Sequence, residues 1–178
     1  MNIANKLTVF RVVIIPFFVL FLLTDFTQYN RWIAFAIFCI ATITDKLDGT
    51  IARKYNMITN FGKFMDPIAD KLLISSSLVC LCSLGEIPAW VVIIIIAREF
   101  VISGIRLVAS DNGVTIAASW WGKLKTIAQM AMIIIMLLGI EKLNLLSDIV
   151  MYISLALTVI SMVDYLIKNK KVIMMNTK

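Results

Sequence analysis

The sequence predicts an all-α integral membrane protein with six transmembrane helices and both termini in the cytosol. Composition is the first observation: hydrophobic residues fill 61% of the 178 positions, charged residues fill 16%, and mean hydropathy is +0.94. A soluble domain carries roughly 45–50% apolar and about 25% charged residues, so one soluble core cannot hold this excess. The other two observations are the recurrence of long apolar runs and the uneven placement of lysine and arginine.

Six apolar runs approach the roughly 20 residues that a helix needs to cross a bilayer. They cover residues 8–24, 31–47, 64–84, 88–107, 124–141 and 146–167. Polar or turn-forming residues separate the runs. The connection at 48–63 is the longest and mixes apolar, basic and polar residues, which is typical of a short interfacial helix. We therefore predict one membrane domain over residues 1–178, with short interfacial helices between spans.

The basic residues orient this topology. Six spans place both termini on one side, and that side receives fourteen lysines and arginines, against only Arg31 and Lys142 opposite; Arg98 lies mid-span and is not counted. Basic residues concentrate in cytoplasmic loops. The bias predicts a multi-pass protein of the cytoplasmic membrane with its site facing the cytosol. It also accounts for the net charge of +6 without a nucleic-acid partner.

The three cysteines, Cys39, Cys80 and Cys82, all lie inside apolar runs, and the chain has no histidine. An odd number of membrane-embedded cysteines predicts packing residues rather than a disulfide framework. Without histidine or a paired-cysteine motif, a zinc site is not predicted.

Four of the eight aspartates fall within 26 residues, around the end of the second span and the start of the third. They are Asp45, Asp48, Asp66 and Asp70. Carboxylate oxygens are the ligands that Mg²⁺ and Mn²⁺ prefer. Without a cation, four clustered acids would repel one another. The cluster therefore predicts a metal site.

Helical geometry groups these acids with small residues. At about 100° per residue, Gly49 and Ala52 share a helix face with Asp45 and Asp48. On the next helix, Gly62, Asp66 and Asp70 form a second stripe. Small residues let a bulky ligand approach the backbone. Two such stripes facing each other would form a four-carboxylate cage.

A purely structural interpretation competes for one of these acids. Asp66 precedes Pro67, a pair that is typical of a helix N-cap followed by proline at the first helical position. It does not explain Asp70, which leads into the largely apolar run 72–84. A carboxylate there costs roughly 2.5–3.5 kcal/mol on insertion scales and usually marks a functional site.

The spacing D-x2-D-G-x2-A-R-x8-G-x3-D-x3-D, from Asp45 to Asp70, resembles the signature of the CDP-alcohol phosphotransferases at every fixed position. The resemblance extends over nearly the whole chain. Residues 5–11 (NKLTVFR) are similar to the N-terminal motif of bacterial members, with Ala4 where proline is common. Residues 97–100, 104–106 and 121–126 look most like the phosphatidylglycerophosphate synthase branch.

This resemblance implies a six-helix, homodimeric enzyme that joins CDP-diacylglycerol to sn-glycerol 3-phosphate and releases CMP. It implies that the four aspartates hold Mg²⁺ or Mn²⁺ and that Asp70 is also the general base. The donor CDP-diacylglycerol would be bound by Asn5, Thr8, Gly49, Ala52, Arg53 and Gly62. The acceptor phosphate would be bound by Arg98, Arg106 and Lys123.

The physical chemistry of these cations is consistent with an anionic acceptor. Arg98 and Arg106 are about 80° apart around one helix, and an arginine at the depth of Arg98 is costly unless it has a partner. Lys125 is about 200° from Lys123 and is predicted to point elsewhere. The alternative for Arg106, Lys123 and Lys125 is anchoring at the cytosolic surface. The basic C-terminal segment, 168–171, is predicted to contact anionic membrane lipids.

Two alternative functions stay open at this point. One keeps the reaction and changes the acceptor to inositol phosphate, serine or phosphatidylglycerol. The other is a cation transporter that uses the acids as an ion pathway. Transporters usually place such sites near the bilayer midplane and often contain inverted repeats. Here the acids lie at the cytosolic ends of spans and no repeat is visible, so the enzyme is favoured.

Overall fold

The structure is a computed structural model that describes residues 3–54, 60–111, 113–114, 116–117 and 119–170. Within these ranges, the side chains of 3–4, 46–54, 60–61 and 63–64 lie outside the description. The helices are α1 (Ile3–Leu23), α2 (Asn30–Lys54), α3 (Asn60–Ser83), α4 (Ala89–Asp111), α5 (Trp120–Leu138) and α6 (Asn144–Lys168), with a 3₁₀ turn at Glu141–Leu143. These ranges contain no strand, which confirms the all-α prediction, and each predicted span falls mainly on one helix.

The largest difference from the prediction lies between the second and third spans. The described part of the 48–63 connection does not form a separate interfacial helix, because residues 48–54 continue α2 and residues 60–63 begin α3. The predicted spans end at residue 47 and begin again at residue 64, where the apolar runs end and begin. Backbone hydrogen bonding of α2 continues beyond residue 47, and the alanine, arginine and lysine at 52–54 are good helix formers. The four acids therefore lie within α2 and α3, as their helical spacing predicts.

Three described segments are long and apolar enough to cross a bilayer: Asn5–Leu23, Trp120–Leu138 and Glu141–Lys168. A span of the hydrocarbon core needs roughly 20 such residues. The helices α2, α3 and α4 carry charged residues within their length. A helical membrane protein is thus supported, while the six-span topology and cytosolic termini stay predictions.

The chain divides into two compact units, which we describe separately. Unit 1 comprises Met1–Glu86 with Leu137–Gly139, and unit 2 comprises Ile87–Met136 with Ile140–Lys178. In unit 1, α1 packs against α2 and α3. The rings of Phe18 and Phe38, both fully buried, lie 6.1 Å apart between centroids. In unit 2, α4 packs against α6. The single domain over 1–178 stays a prediction.

Arg31 joins three segments of unit 1. Its Nη2 lies 2.7 Å from Oε1 of Glu86, in the turn after α3, and its Nε donates to the carbonyl of Leu137 at 3.2 Å. Gly139 follows closely, with φ of +62°, and a Cβ there would lie 2.5 Å from Arg31 Nε. Glycine is therefore required at 139 for its left-handed backbone and for its contact with Arg31.

We expect Gly139→Ala to lower the free energy of unfolding by about 2–3 kcal/mol, because alanine adds left-handed strain and displaces the Arg31 guanidinium. Gly113→Ala is the matched control, since Gly113 also has positive φ (+72°) but nothing within 4 Å of its would-be Cβ. Denaturant unfolding in detergent micelles measures both. Equal losses in the two variants would show that the Arg31 contact contributes nothing.

Candidate functional site

A buried polar stripe runs along α1 in unit 1. Asn5, Thr8 and Arg11 recur every three residues on this largely apolar helix, and they are 7%, 1% and 0% exposed. Buried polar and charged side chains are stable only when they find partners. Thr8 and Arg11 each contact one acid of the predicted metal site.

Arg11 binds the first acid of the motif. Its Nη1 lies 2.6 Å from Oδ1 of Asp45 on α2. The Arg11 side chain is fully buried, whereas the Asp45 side chain is 34% exposed. Hydrogen bonds between ionised groups are short and roughly twice as strong as neutral ones. The pair therefore fixes the Asp45 carboxylate while leaving part of it open.

Thr8 binds the third acid. Its hydroxyl donates to Oδ1 of Asp66 on α3 at 2.6 Å. The N-cap interpretation of Asp66 is wrong, because α3 begins at Asn60 and both Asp66 and Pro67 lie inside the helix. The Asp–Pro pair resembles a helix start, but the helix had already begun upstream. Asp66 is held by a tertiary contact instead.

Through these two contacts, Asp45 of α2 and Asp66 of α3 both lie against α1, at adjacent turns of that helix. Thr8 and Arg11 are three residues apart on α1, where side chains are neighbours with Cβ atoms about 5–6 Å apart. The acids of α2 and α3 therefore converge on the same stripe of α1. Sequence spacing predicted that two acid stripes would face each other, but did not identify α1 as the element that holds both.

The remaining motif residues are placed less completely. Asp70 lies one turn after Asp66 on α3 and is partly buried. Gly62 lies one turn before Asp66 and is buried. Asp48, Gly49, Ala52 and Arg53 share α2 with Asp45, but their side chains lie outside the described part of the chain. Among the side chains that are described, no three acids or cysteines form a group able to hold a metal. Asp48 is not among those side chains.

Unit 2 contains a second charged cluster, formed by Arg98, Glu99 and Lys125. Arg98 is 8% exposed; its Nη2 donates to Oγ of Ser161 on α6 at 3.1 Å, and its Nη1 lies 3.3 Å from Oε1 of Glu99. Lys125 on α5 pairs with the same Glu99 oxygen. One carboxylate therefore binds two cations from different helices.

The start of α5 lies against this cluster. The hydroxyl of Ser119 accepts a hydrogen bond from the Gly122 backbone N–H at 3.1 Å, which is the geometry of an N-cap. A Cβ at Gly122 would lie 3.6 Å from Arg98 Nη2. The first turn of α5, which carries Lys123, is thus positioned next to the Arg98 guanidinium.

The other predicted acceptor cations are more open. Arg106 is exposed, and its Cζ lies 5.7 Å from the centroid of the Tyr165 ring, within cation–π range. Lys123 is also exposed, whereas Lys125 is 3% exposed, so the two lysines point in different directions as predicted. The described contacts join Arg98 to Lys125 through Glu99. Tyr165 also lines a cavity of about 310 Å³ with Ser119, Lys168 and Asn169.

Sequence reasoning missed the roles of Arg11, Glu99 and Lys125. Arg11 is predicted to lie among the cytosolic charges and belongs to the motif at 5–11, but no partner is predicted for it, although its three-residue spacing from Thr8 is a usable signal. Glu99 is a carboxylate adjacent to an arginine within an apolar run, which is costly without a partner. Its second cation, Lys125, is 26 residues away, and only the fold brings the two together.

Comparisons with known proteins add independent information. The family model described as CDP-alcohol phosphatidyltransferase matches residues 1–160. A Bacillus subtilis (strain 168) protein named CDP-diacylglycerol–glycerol-3-phosphate 3-phosphatidyltransferase is 41% identical, over 94% of this chain and 95% of its own. A Mycobacterium tuberculosis (strain H37Rv) protein named probable phosphatidylglycerophosphate synthase is 45% identical, over 92% and 79%. A Rickettsia bellii protein with the same name as the Bacillus protein is 37% identical, over 96% of each chain.

Proposed function

The chain belongs to the CDP-alcohol phosphatidyltransferase family, and from this premise we propose that it transfers the phosphatidyl group of CDP-diacylglycerol to sn-glycerol 3-phosphate. The products are phosphatidylglycerophosphate and CMP, in the synthesis of anionic phospholipid. The observation that carries the proposal is the near full-length similarity to relatives named for this reaction. That similarity spans both the acid motif at 45–70 and the basic residues of α4 and α5.

We assign the donor to unit 1. Gly49, Ala52, Arg53 and Gly62 would contact the CDP group, where small residues allow close approach and a guanidinium can fork onto phosphate or cytosine oxygens. Asn5 would contribute from the α1 stripe. The bond from Thr8 to Asp66 supports a different role for Thr8, which is to orient an acid rather than to bind the donor directly.

The acids suit a divalent cation. Asp45 keeps a third of its side chain exposed while Arg11 holds one oxygen, and Asp66 is oriented by Thr8 through one oxygen. Each carboxylate thus has a second oxygen that these contacts do not use. We propose that Asp45, Asp48, Asp66 and Asp70 hold Mg²⁺ or Mn²⁺, for which oxygen ligands are preferred. When bound, the metal would neutralise phosphate oxygens of the donor.

The chemistry assigned to this chain's own residues is proton transfer and positioning. The primary hydroxyl of glycerol 3-phosphate attacks the phosphorus that carries diacylglycerol; the new P–O bond forms as the bond to CMP breaks. The proton of that hydroxyl passes to the Asp70 carboxylate. Because the chain has no histidine, a carboxylate is the natural general base. In-line geometry would then depend on how firmly each substrate is held.

We assign the acceptor phosphate to the basic residues of unit 2, namely Arg98, Arg106 and Lys123. A dianionic phosphate is well matched by guanidinium groups, which bind two oxygens at once. The proposal also includes six spans, cytosolic termini, a cytosolic active site and a homodimer. A cytosolic site would let a water-soluble acceptor meet a lipid-anchored donor.

The experiment is an assay on membranes containing the expressed protein. We expect labelled glycerol 3-phosphate to enter chloroform-soluble lipid only when CDP-diacylglycerol and Mg²⁺ or Mn²⁺ are both present. Chelation with EDTA should abolish incorporation, and added metal should restore it. A parallel panel of serine, inositol phosphate and phosphatidylglycerol should give no comparable product. Preferential use of any of these acceptors would contradict the proposed substrate.

A further inference from the structure

Three charged side chains of unit 2 lie together, two of them buried and the third, Glu99, mostly buried. The side chains of Arg98, Glu99 and Lys125 are 9%, 17% and 3% exposed. Two cations and one anion leave the trio with a formal charge of +1. A buried charge is expensive unless it is paired, so such a cluster requires an explanation.

Glu99 and Ser161 together fix the Arg98 guanidinium. Glu99 Oε1 contacts Nη1, and the Ser161 hydroxyl accepts from Nη2. Two contacts on different nitrogens set the plane of the group as well as its position, because guanidinium is rigid and flat. Among the described residues, the buried Nε of Arg98 has no hydrogen-bond partner. A buried donor of this kind is consistent with a site prepared for an anion.

Glu99 also determines what lies beside Arg98. By pairing with Lys125 it connects α4 to α5, whose capped first turn places Gly122 next to Arg98 Nη2. Gly122 has no side chain to cover that nitrogen. Glu99 therefore controls both the orientation of Arg98 and the placement of the turn that carries Lys123.

We propose that Glu99 is a positioning residue of the acceptor site: it orients the Arg98 guanidinium toward the phosphate of the acceptor without touching the substrate. This inference rests on the proposed function, which assigns that phosphate to Arg98. It predicts that Glu99 affects the affinity for a phosphate-bearing acceptor and leaves the affinity for the lipid donor unchanged.

A simpler role for Glu99 is to neutralise Lys125 in the interior. The positioning role and the neutralising role of Glu99 predict different results when the charges of Glu99 and Lys125 are both removed. In the double variant Glu99→Gln/Lys125→Met, the formal charge of the trio returns to +1, so a purely neutralising carboxylate is no longer needed. The Arg98 guanidinium still loses its orientation, because glutamine at position 99 lacks the negative charge that strengthens the hydrogen bond from Arg98 Nη1.

The test measures KM for glycerol 3-phosphate, KM for CDP-diacylglycerol and thermal unfolding in detergent. For Glu99→Gln we expect the acceptor KM to rise about tenfold, the change that corresponds to roughly one charge-assisted hydrogen bond, with the donor KM within about twofold of wild type. The unfolding temperature should fall. In the double variant the unfolding temperature should recover, while the acceptor KM should stay about tenfold raised.

Glu141→Gln is the matched control, since Glu141 is an exposed carboxylate in the same unit and should leave all three measurements unchanged. An acceptor KM that returns to wild type in the double variant would overturn the inference and leave Glu99 as a neutralising group. If Glu99→Gln does not fold, the double variant alone still decides between the two roles. Failure of the proposed function is distinct, because wild type would then make no phosphatidylglycerophosphate.

Discussion

Replacement of Asp70 by Asn is expected to reduce transfer from CDP-diacylglycerol by about two to four orders of magnitude, the usual contribution of a general base. Asparagine has the same shape but cannot accept the proton of the acceptor hydroxyl, and it is a weaker ligand for a hard cation. The measurement is the initial rate of labelled lipid formation at saturating substrates and at several Mn²⁺ concentrations. Activity should stay low at every metal concentration.

Asp148→Asn provides the comparison for this variant. Asp148 is exposed on α6, outside the acid motif, and its replacement should leave the rate unchanged. Restoration of Asp70→Asn activity by high Mn²⁺ would show that Asp70 acts only as a metal ligand. A rate equal to wild type at ordinary metal concentration would remove Asp70 from the site altogether.

Disruption of the Arg11–Asp45 pair is expected to have the largest effect on stability. Removing one partner of an ion pair is costly when the charge that remains is buried, up to about 3–5 kcal/mol for a fully buried pair. The Arg11 side chain is 0% exposed and that of Asp45 is 34% exposed. Asp45→Asn should therefore destabilise more than Arg11→Met, which leaves a carboxylate that water can reach. A double-mutant cycle in detergent, followed by denaturant unfolding, measures the coupling.

The Lys168–Asp164 pair is the control for this cycle. Its Nζ–Oδ1 distance is 2.7 Å, close to that of the buried pair, but the lysine side chain is 64% exposed. A pair at i,i+4 spacing on one helix, with an exposed lysine, should show a coupling of only about 0.3–0.5 kcal/mol. If the effects of Arg11→Met and Asp45→Asn simply add, the contact contributes no free energy, and α1 does not hold the acid site.

The family could be predicted from the sequence because its signature consists of particular residue types at fixed spacings. The stretch from Asp45 to Asp70 contains every fixed position of the motif, and the family model matches residues 1–160. The all-α class could also be predicted from the sequence, because an apolar run near bilayer length can cross a membrane only as a helix or as part of a closed barrel. The precise ends of the helices could not be predicted in this way. Apolar runs indicate where lipid can contact the chain, whereas α2 continues through charged residues to Lys54.

The sequence by itself determined the class of protein, the positions of its helices and the acids that share a helix face. Those properties depend on neighbours within about one or two turns, where helical geometry is fixed. Only the tertiary structure decided that Arg11 pairs with Asp45, that Thr8 rather than a helix end binds Asp66, and that Glu99 joins Arg98 to Lys125. Spacing places a side chain on a face of its own helix. Which helix packs against that face depends on the packing of the whole unit.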